Sequence, residues 1–400
     1  MPRAGRVAFA DQLRGLAALL VLLAHHGSNY WLIQPAVADL TGLPPAFPAA
    51  PPGTLAWANL FPGITVTGPA GVALFFLISG YVIPFSLRGR RRGGFLLARA
   101  VRLLPTYWAG FALQVAVLLV AQHLLSGHFP RSAAEVVLNL LPGPQLLANL
   151  PSLDGIVWTL NIEVLFYLAA ALVAPLILRR SPHVLWVPLG AALLGGALSV
   201  HTGWITAAPP VLVRALSGLA LAAPMLVYMF IGTVLHLAED DPRWRRAALF
   251  LVPVMLAVFA AMMRWWPHGS LFAQAWAYLV VAALFVAAFA LRARIPAWRL
   301  PTWLASISYP LYVVHGVSGY ALMSVAWSLG WPPLACFALA IAYSLGAAVL
   351  LHLLVEEPTR RLSARLGRGG SALWRGRDKV GEKEFSPNPS SSFVRLPRNG

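Results

Sequence analysis

Runs of about twenty apolar residues, interrupted by short basic clusters, recur along this 400-residue chain and constrain its fold more than any other feature. A hydrocarbon layer of ~30 Å takes ~20 helical residues to cross. In lipid the backbone must satisfy its own hydrogen bonds, which a helix does within one segment. Apolar runs lie near 13–33, 68–87, 103–125, 157–178, 183–200, 211–236, 247–263, 270–291, 303–328 and 334–355. They predict an all-α fold, a polytopic transmembrane helix bundle of about ten spans. Composition agrees: 59% of residues are hydrophobic, 11% are charged, and the mean hydropathy is +0.71. One water-soluble core does not hide that much apolar surface.

The distribution of basic residues orients the bundle. Clusters stand at Arg3/Arg6, Arg88–Arg92 with Arg99 and Arg102, Arg179/Arg180, Arg243/Arg245/Arg246, Arg292/Arg294/Arg299, and from Arg360 onward, so every second connection is basic. Of 30 Lys and Arg residues only Arg131, Arg214 and Arg264 fall on the other side. This is the positive-inside pattern for an even number of spans, with both termini cytoplasmic and the chain multi-pass in the inner (plasma) membrane. The formal net charge of +17 is therefore read as topology. Nucleic acid is not expected as a partner, because the charges do not form one polar stripe. The single cysteine, Cys336, lies inside the last run and excludes an intrachain disulfide.

Residues 34–67 and 126–156 are predicted as outer loops. The second carries an amphipathic stretch, Ala133–Leu141, between Pro130 and Pro142, suited to capping a cavity. Residues 1–366 are expected to form the transmembrane domain. Residues 367–400, rich in Gly, Ser, Pro and Arg, are expected to be a disordered cytoplasmic tail. The first run follows Arg3 and Arg6 as a signal peptide would, but no small-residue cleavage site leads into a soluble domain, and it contains Arg14, His25 and His26. It is read as the first span.

Ionisable side chains in spans are costly and tend to face cavities or the bundle interior. Arg14 and His25 are eleven residues apart, which on a helix is three turns plus about 20°, so they share a face roughly 16 Å long. The fourth span puts Glu163 about 9 Å below the outer surface, and the first and ninth put His25 and His315 about 18 Å above the inner one. Within a ~30 Å core these levels agree to within a turn, so two histidines and a carboxylate are expected at one depth. A carboxylate beside a histidine makes a general-base unit. Bland readings stand beside this one: Arg14 as an interface anchor, His25 as a buried structural histidine, and Glu163 in a structural ion pair. His26 points about 100° from His25 and is read as packing. No metal site is expected, because the three groups come from separate helices without local ligand spacing. Arg99 and Arg102, three apart, face one way and with Arg14 suit phosphate groups; anionic lipid headgroups would satisfy them equally well.

The order of these features resembles the membrane acyltransferase-3 family. The resemblance runs over about 9–366, through Asp11-Gln12-Leu13-Arg14-Gly15 with ten residues between Arg14 and His25; Gly71-Val72-Ala73-Leu74-Phe75-Phe76-Leu77-Ile78-Ser79-Gly80-Tyr81; Arg99-Ala100-Val101-Arg102 leading to Tyr107-Trp108; Trp158-Thr159-Leu160-Asn161-Ile162-Glu163 leading to Phe166-Tyr167; Ser308-Tyr309-Pro310-Leu311-Tyr312 with His315; and Val355-Glu356-Glu357-Pro358. Departures are Glu357, where a basic residue is common, and Ala98, where an arginine often precedes Arg99. The resemblance implies transfer of an acyl group, usually acetyl, from cytoplasmic acyl-coenzyme A (acyl-CoA, typically acetyl-CoA) to a hydroxyl of a carbohydrate acceptor at the outer face, with no permanently bound cofactor. It implies His25 as catalytic base with Glu163 as its partner, and Arg14, Arg99 and Arg102 as donor contacts. His315, Tyr167 and Asn161 are the expected substrate-binding residues. The rival reading is a transporter or flippase of a lipid-linked sugar, which predicts inverted repeats; no repeat at a fixed period is visible.

Overall fold

The computed structural model describes residues 3–60, 62–148, 152–200, 209–265 and 272–363. The expected tail after residue 366 lies outside the described residues. The described parts of the ten apolar runs are helical apart from single residues at Ile33, Leu125, Val173 and His315, and no strand occurs among the described residues. The helices are α1 (Arg3–Leu22), α2 (Gly68–Leu87), α3 (Arg92–Leu124), α4 (Val157–Leu172), α5 (Trp186–Val200), α6 (Pro210–Asp240), α7 (Pro242–Trp265), α8 (Phe272–Leu291), α9 (Arg299–Val314), α10 (Gly316–Ser328) and α11 (Pro333–Leu351). Seven helical stretches among the described residues are long and apolar enough to cross a membrane. The protein is a helical membrane bundle.

Two expected spans are not single helices. The run near 157–178 breaks at Val173, and the run near 303–328 breaks at His315, which ends α9 and precedes α10. The first span changes pitch as well: beyond Leu22 it continues as a π-helical turn, Leu23–Asn29, that holds both His25 and His26. Such wide turns cluster at functional sites because they re-aim side chains relative to a straight helix.

The centre of the bundle is α6, buried continuously over residues 222–239. It meets α2 at backbone distance: a Cβ at Gly80 would stand 1.9 Å from the Met229 carbonyl oxygen, and one at Gly232 would stand 2.3 Å from that of Leu77. Helices in lipid gain their association from close packing, which small residues permit. Thr233 Oγ1 donates to the Gly80 carbonyl across the same crossing (3.1 Å).

Contacts between connections sort the two ends. At one end Gln12 bonds the Pro296 carbonyl (3.0 Å), Ser363 the Ala98 carbonyl (2.8 Å) and Trp244 the Arg180 carbonyl (2.9 Å). These are the basic connections. At the opposite end Gln122 bonds the Thr41 carbonyl (2.7 Å) and His128 N–H the Gly42 carbonyl (2.9 Å). There the helix Ala133–Asn139, opened by a Ser132/Glu135 capping box, lies over α3, and Tyr107 and Trp108 donate to the carbonyls of Asn139 and Leu140. Asn139 in turn accepts from Leu153 N–H (2.9 Å).

Candidate active site

A cavity of about 670 Å³ runs through the bundle between α1, α2, α3, α4 and α9. At the basic end it is lined by Asp11, Arg14, Arg99, Arg102, Glu357 and Arg360. Arg14 is paired with Asp11 (3.3 Å) and only a quarter exposed, so it faces the cavity as part of an ion pair. The Arg99 guanidinium stands 5.6 Å from the Phe95 ring and 5.7 Å from the Tyr167 ring, and its buried Nε has no partner. Among the described residues neither Arg99 nor Arg102 has an ion pair, leaving two cations available to an anion. Glu357, which departs from the family pattern, bonds Arg360 (2.6 and 2.9 Å) and Arg361 (2.8 Å). Arg360 thereby returns positive charge to the mouth.

Glu163 lies on the cavity wall near this basic end. Its Oε1 accepts hydrogen bonds from Ser79 Oγ (3.0 Å) and the Tyr167 hydroxyl, and it lines the same cavity as Arg14 and Arg99. It is not hydrogen-bonded to His25, so the expected His25–Glu163 unit is not formed in this structure. The physical reason is the depth of the α4 N-terminus. The chain at 152–156 dips into the bundle, where a Cβ on Gly316 would meet the Asp154 carbonyl oxygen at 2.5 Å and Ile156 Cγ2 at 3.6 Å. The helix therefore starts level with His315 rather than at the membrane surface, and Glu163, six residues further on, lies roughly 9 Å nearer the basic end.

The histidines do meet. The rings of His25 and His315 are edge to face with centroids 4.9 Å apart. His315 Nδ1 lies 3.1 Å from the Leu311 carbonyl and 2.9 Å from that of Tyr312; carbonyls only accept, so Nδ1 carries the proton and Nε2 presents a lone pair. That Nε2 is buried without a partner. His26 Nε2 donates to the His315 carbonyl (2.8 Å), and the ring is fully buried, as its packing role requires. His25 Nδ1 is 2.7 Å from the Tyr320 hydroxyl.

One further sequence expectation changes. Asn161 does not line the cavity: its Oδ1 accepts from Gly143 N–H (2.7 Å) and its Nδ2 donates to Gln145 Oε1, so both ends of the amide are used in fastening the 143–145 turn. Tyr167 does line the cavity, at its basic end beside Arg99. Sequence reasoning had no separate place for Tyr320, Thr159 or the His352–Glu356 pair (2.7 Å), which also lines the cavity. The signal available for them was polarity inside an apolar run, the same criterion that selected His25.

The family model described as an acyltransferase domain matches residues 7–353. The chain belongs to the membrane acyltransferase-3 family. This acyltransferase is 27% identical over 339 residues to acyltransferase MdmB of Streptomyces mycarofaciens, a match covering 76% of this chain and 83% of that protein. It is also 27% identical over 330 residues to the exopolysaccharide production protein ExoZ of Rhizobium meliloti (strain 1021), covering 76% of this chain and 94% of that protein. No solved structure matches the chain.

Proposed function

We propose that this membrane acyltransferase takes an acyl group, acetyl in the simplest case, from cytoplasmic acyl-CoA and places it on a carbohydrate hydroxyl at the outer face of the inner membrane. The observation that carries this reading is one cavity that begins among Arg14, Arg99, Arg102 and Arg360 and ends at Tyr312, whose ring is 5.6 Å from that of His315. An elongated thioester with a phosphorylated head fits such a path: the arginines hold its anionic groups, and the acyl end extends toward the histidines. The family and the printed names of its relatives, one an acyltransferase and one an exopolysaccharide production protein, support a glycan or glycoside as acceptor.

In this reading His25 is the general base. With Nδ1–H donating to the Tyr320 oxygen (2.7 Å), its Nε2 takes the proton of the attacking hydroxyl. The hydroxyl oxygen forms a bond to the thioester carbon, the carbon–sulfur bond breaks, and the imidazolium returns its proton to the departing thiolate. Glu163, fixed by Ser79 and Tyr167, balances the charge of Arg14 and Arg99 at the donor end.

The test is mass spectrometry of surface glycans and secreted glycosides from a deletion strain complemented with wild type, His25→Ala or Arg14→Ala. Wild type restores an acyl increment, His25→Ala does not although it inserts and folds, and Arg14→Ala raises the acetyl-CoA concentration needed in membranes. Full restoration by His25→Ala removes it from the base role.

A further inference from the structure

Away from its arginines the cavity is lined by a pair of hydroxyls. The Tyr312 hydroxyl is 2.6 Å from Thr159 Oγ1 and 3.4 Å from the Ile156 carbonyl oxygen. Thr159 Oγ1 itself donates to that carbonyl at 3.0 Å, the shorter of the two approaches, which favours Tyr312 as the donor between the hydroxyls. The tyrosine ring is held from two sides, 5.5 Å from the Phe75 ring and 5.6 Å from the His315 ring. Phe75, Thr159, Ile156 and Tyr312 line the cavity, whereas His25 and His315 do not. Tyr312 thus stands at the boundary between the cavity and the histidines.

Resting on the acyl-transfer reading, we infer that Tyr312 is a further catalytic residue whose hydroxyl donates to the oxyanion formed at the thioester carbonyl. When the acceptor oxygen bonds to that carbon, the carbonyl π pair moves onto oxygen and needs a preorganised donor in a water-poor site. A backbone carbonyl already takes the Thr159 proton, so Thr159 is only the resting partner of Tyr312. The Tyr312 proton is the one free to turn to the substrate. As the tetrahedral carbon collapses the oxygen pair re-forms the carbonyl, the carbon–sulfur bond breaks, the thiolate takes the proton held by His25, and the Tyr312 hydroxyl returns to Thr159. Tyr312 stays protonated throughout. His315 keeps the two sites in register: its Nδ1 bonds the Tyr312 carbonyl and its ring touches that of His25.

The experiment uses the full-length protein in proteoliposomes with [¹⁴C]acetyl-CoA and glycan extracted from the deletion strain, comparing wild type, Tyr312→Phe, Thr159→Val and His25→Ala. Tyr312→Phe keeps the ring between Phe75 and His315, and its kcat is expected to fall about 10²–10³-fold with KM for acetyl-CoA within ~3-fold of wild type, as for loss of one oxyanion donor. Thr159→Val is expected to keep kcat within ~10-fold, because it removes only the resting partner. The inference is overturned if Tyr312→Phe retains kcat within ~3-fold, or if Thr159→Val loses as much as Tyr312→Phe, which would make the pair a structural latch. Should Tyr312→Phe not fold, a fall in kcat of more than ~10-fold in Thr159→Val overturns the inference. Absence of transfer by the wild type, or full transfer by His25→Ala, would instead refute the acyl-transfer reading or its base.

Discussion

Gly319 on α10 is the position where one methyl group should most clearly disturb the histidine cluster. A Cβ there would stand 2.0 Å from His26 Nε2, 2.7 Å from Cε1 and 2.9 Å from Cδ2. His26 is fully buried and has nowhere to swing, and Nε2 is the atom that bonds the His315 carbonyl at 2.8 Å. Gly319→Ala therefore forces overpacking, about 1–3 kcal/mol, and leaves a buried donor and acceptor apart, about 1–3 kcal/mol more. Together they cost about 2–6 kcal/mol, against which better helix propensity returns at most ~1 kcal/mol. The assay is a double-mutant cycle read by thermal unfolding in detergent micelles followed by size exclusion. Gly319→Ala should lower Tm by several degrees in the wild-type background. In a His26→Ala background the ring is gone and the carbonyl already unpaired, so the same change should cost less than ~1 kcal/mol. Equal Tm losses in both backgrounds would refute the argument that the His26 ring is what Gly319 accommodates.

Two further outcomes separate catalytic from structural roles. Tyr320→Phe removes the 2.7 Å partner of His25 Nδ1, and the loss of about 1–3 kcal/mol of buried hydrogen bonding should lower kcat ~10–100-fold with KM for acetyl-CoA unmoved, measured by thiol release with glycan acceptor. Asn161→Ala, by contrast, unfastens Gly143 and Gln145 and should lower Tm while leaving KM for acetyl-CoA unchanged; a KM shift without a Tm shift would place Asn161 at the substrate after all.

Much of the site was legible because lipid makes polarity expensive. Arg14 and Arg99 were selected as ionisable groups in or beside apolar runs, and both line the cavity with Arg102 at one end. His25 and His315 were matched by depth alone, and their rings are in contact. Depth failed for Glu163 because it assumed that α4 begins at the membrane surface, whereas the segment 152–156 packs on Gly316 inside the bundle. Asn161 was expected at the substrate and stands two residues from Glu163, but residues two apart on a helix point in different directions, and its amide is spent on the 143–145 turn.

What the sequence determined by itself is the helical class, the membrane bundle and the clustering of basic connections, because each is a property of one segment set against lipid or water. Partnership between side chains was decided only by tertiary structure. Whether His25 meets Tyr320 or Glu163 depends on the π-turn at 23–29, the break at His315 and the level at which α4 starts. Shifts of a few ångströms between helices leave every hydropathy run intact, yet a hydrogen bond tolerates only a few tenths of an ångström. The same chain pattern therefore specifies where polar groups lie in the bilayer without specifying which of them touch.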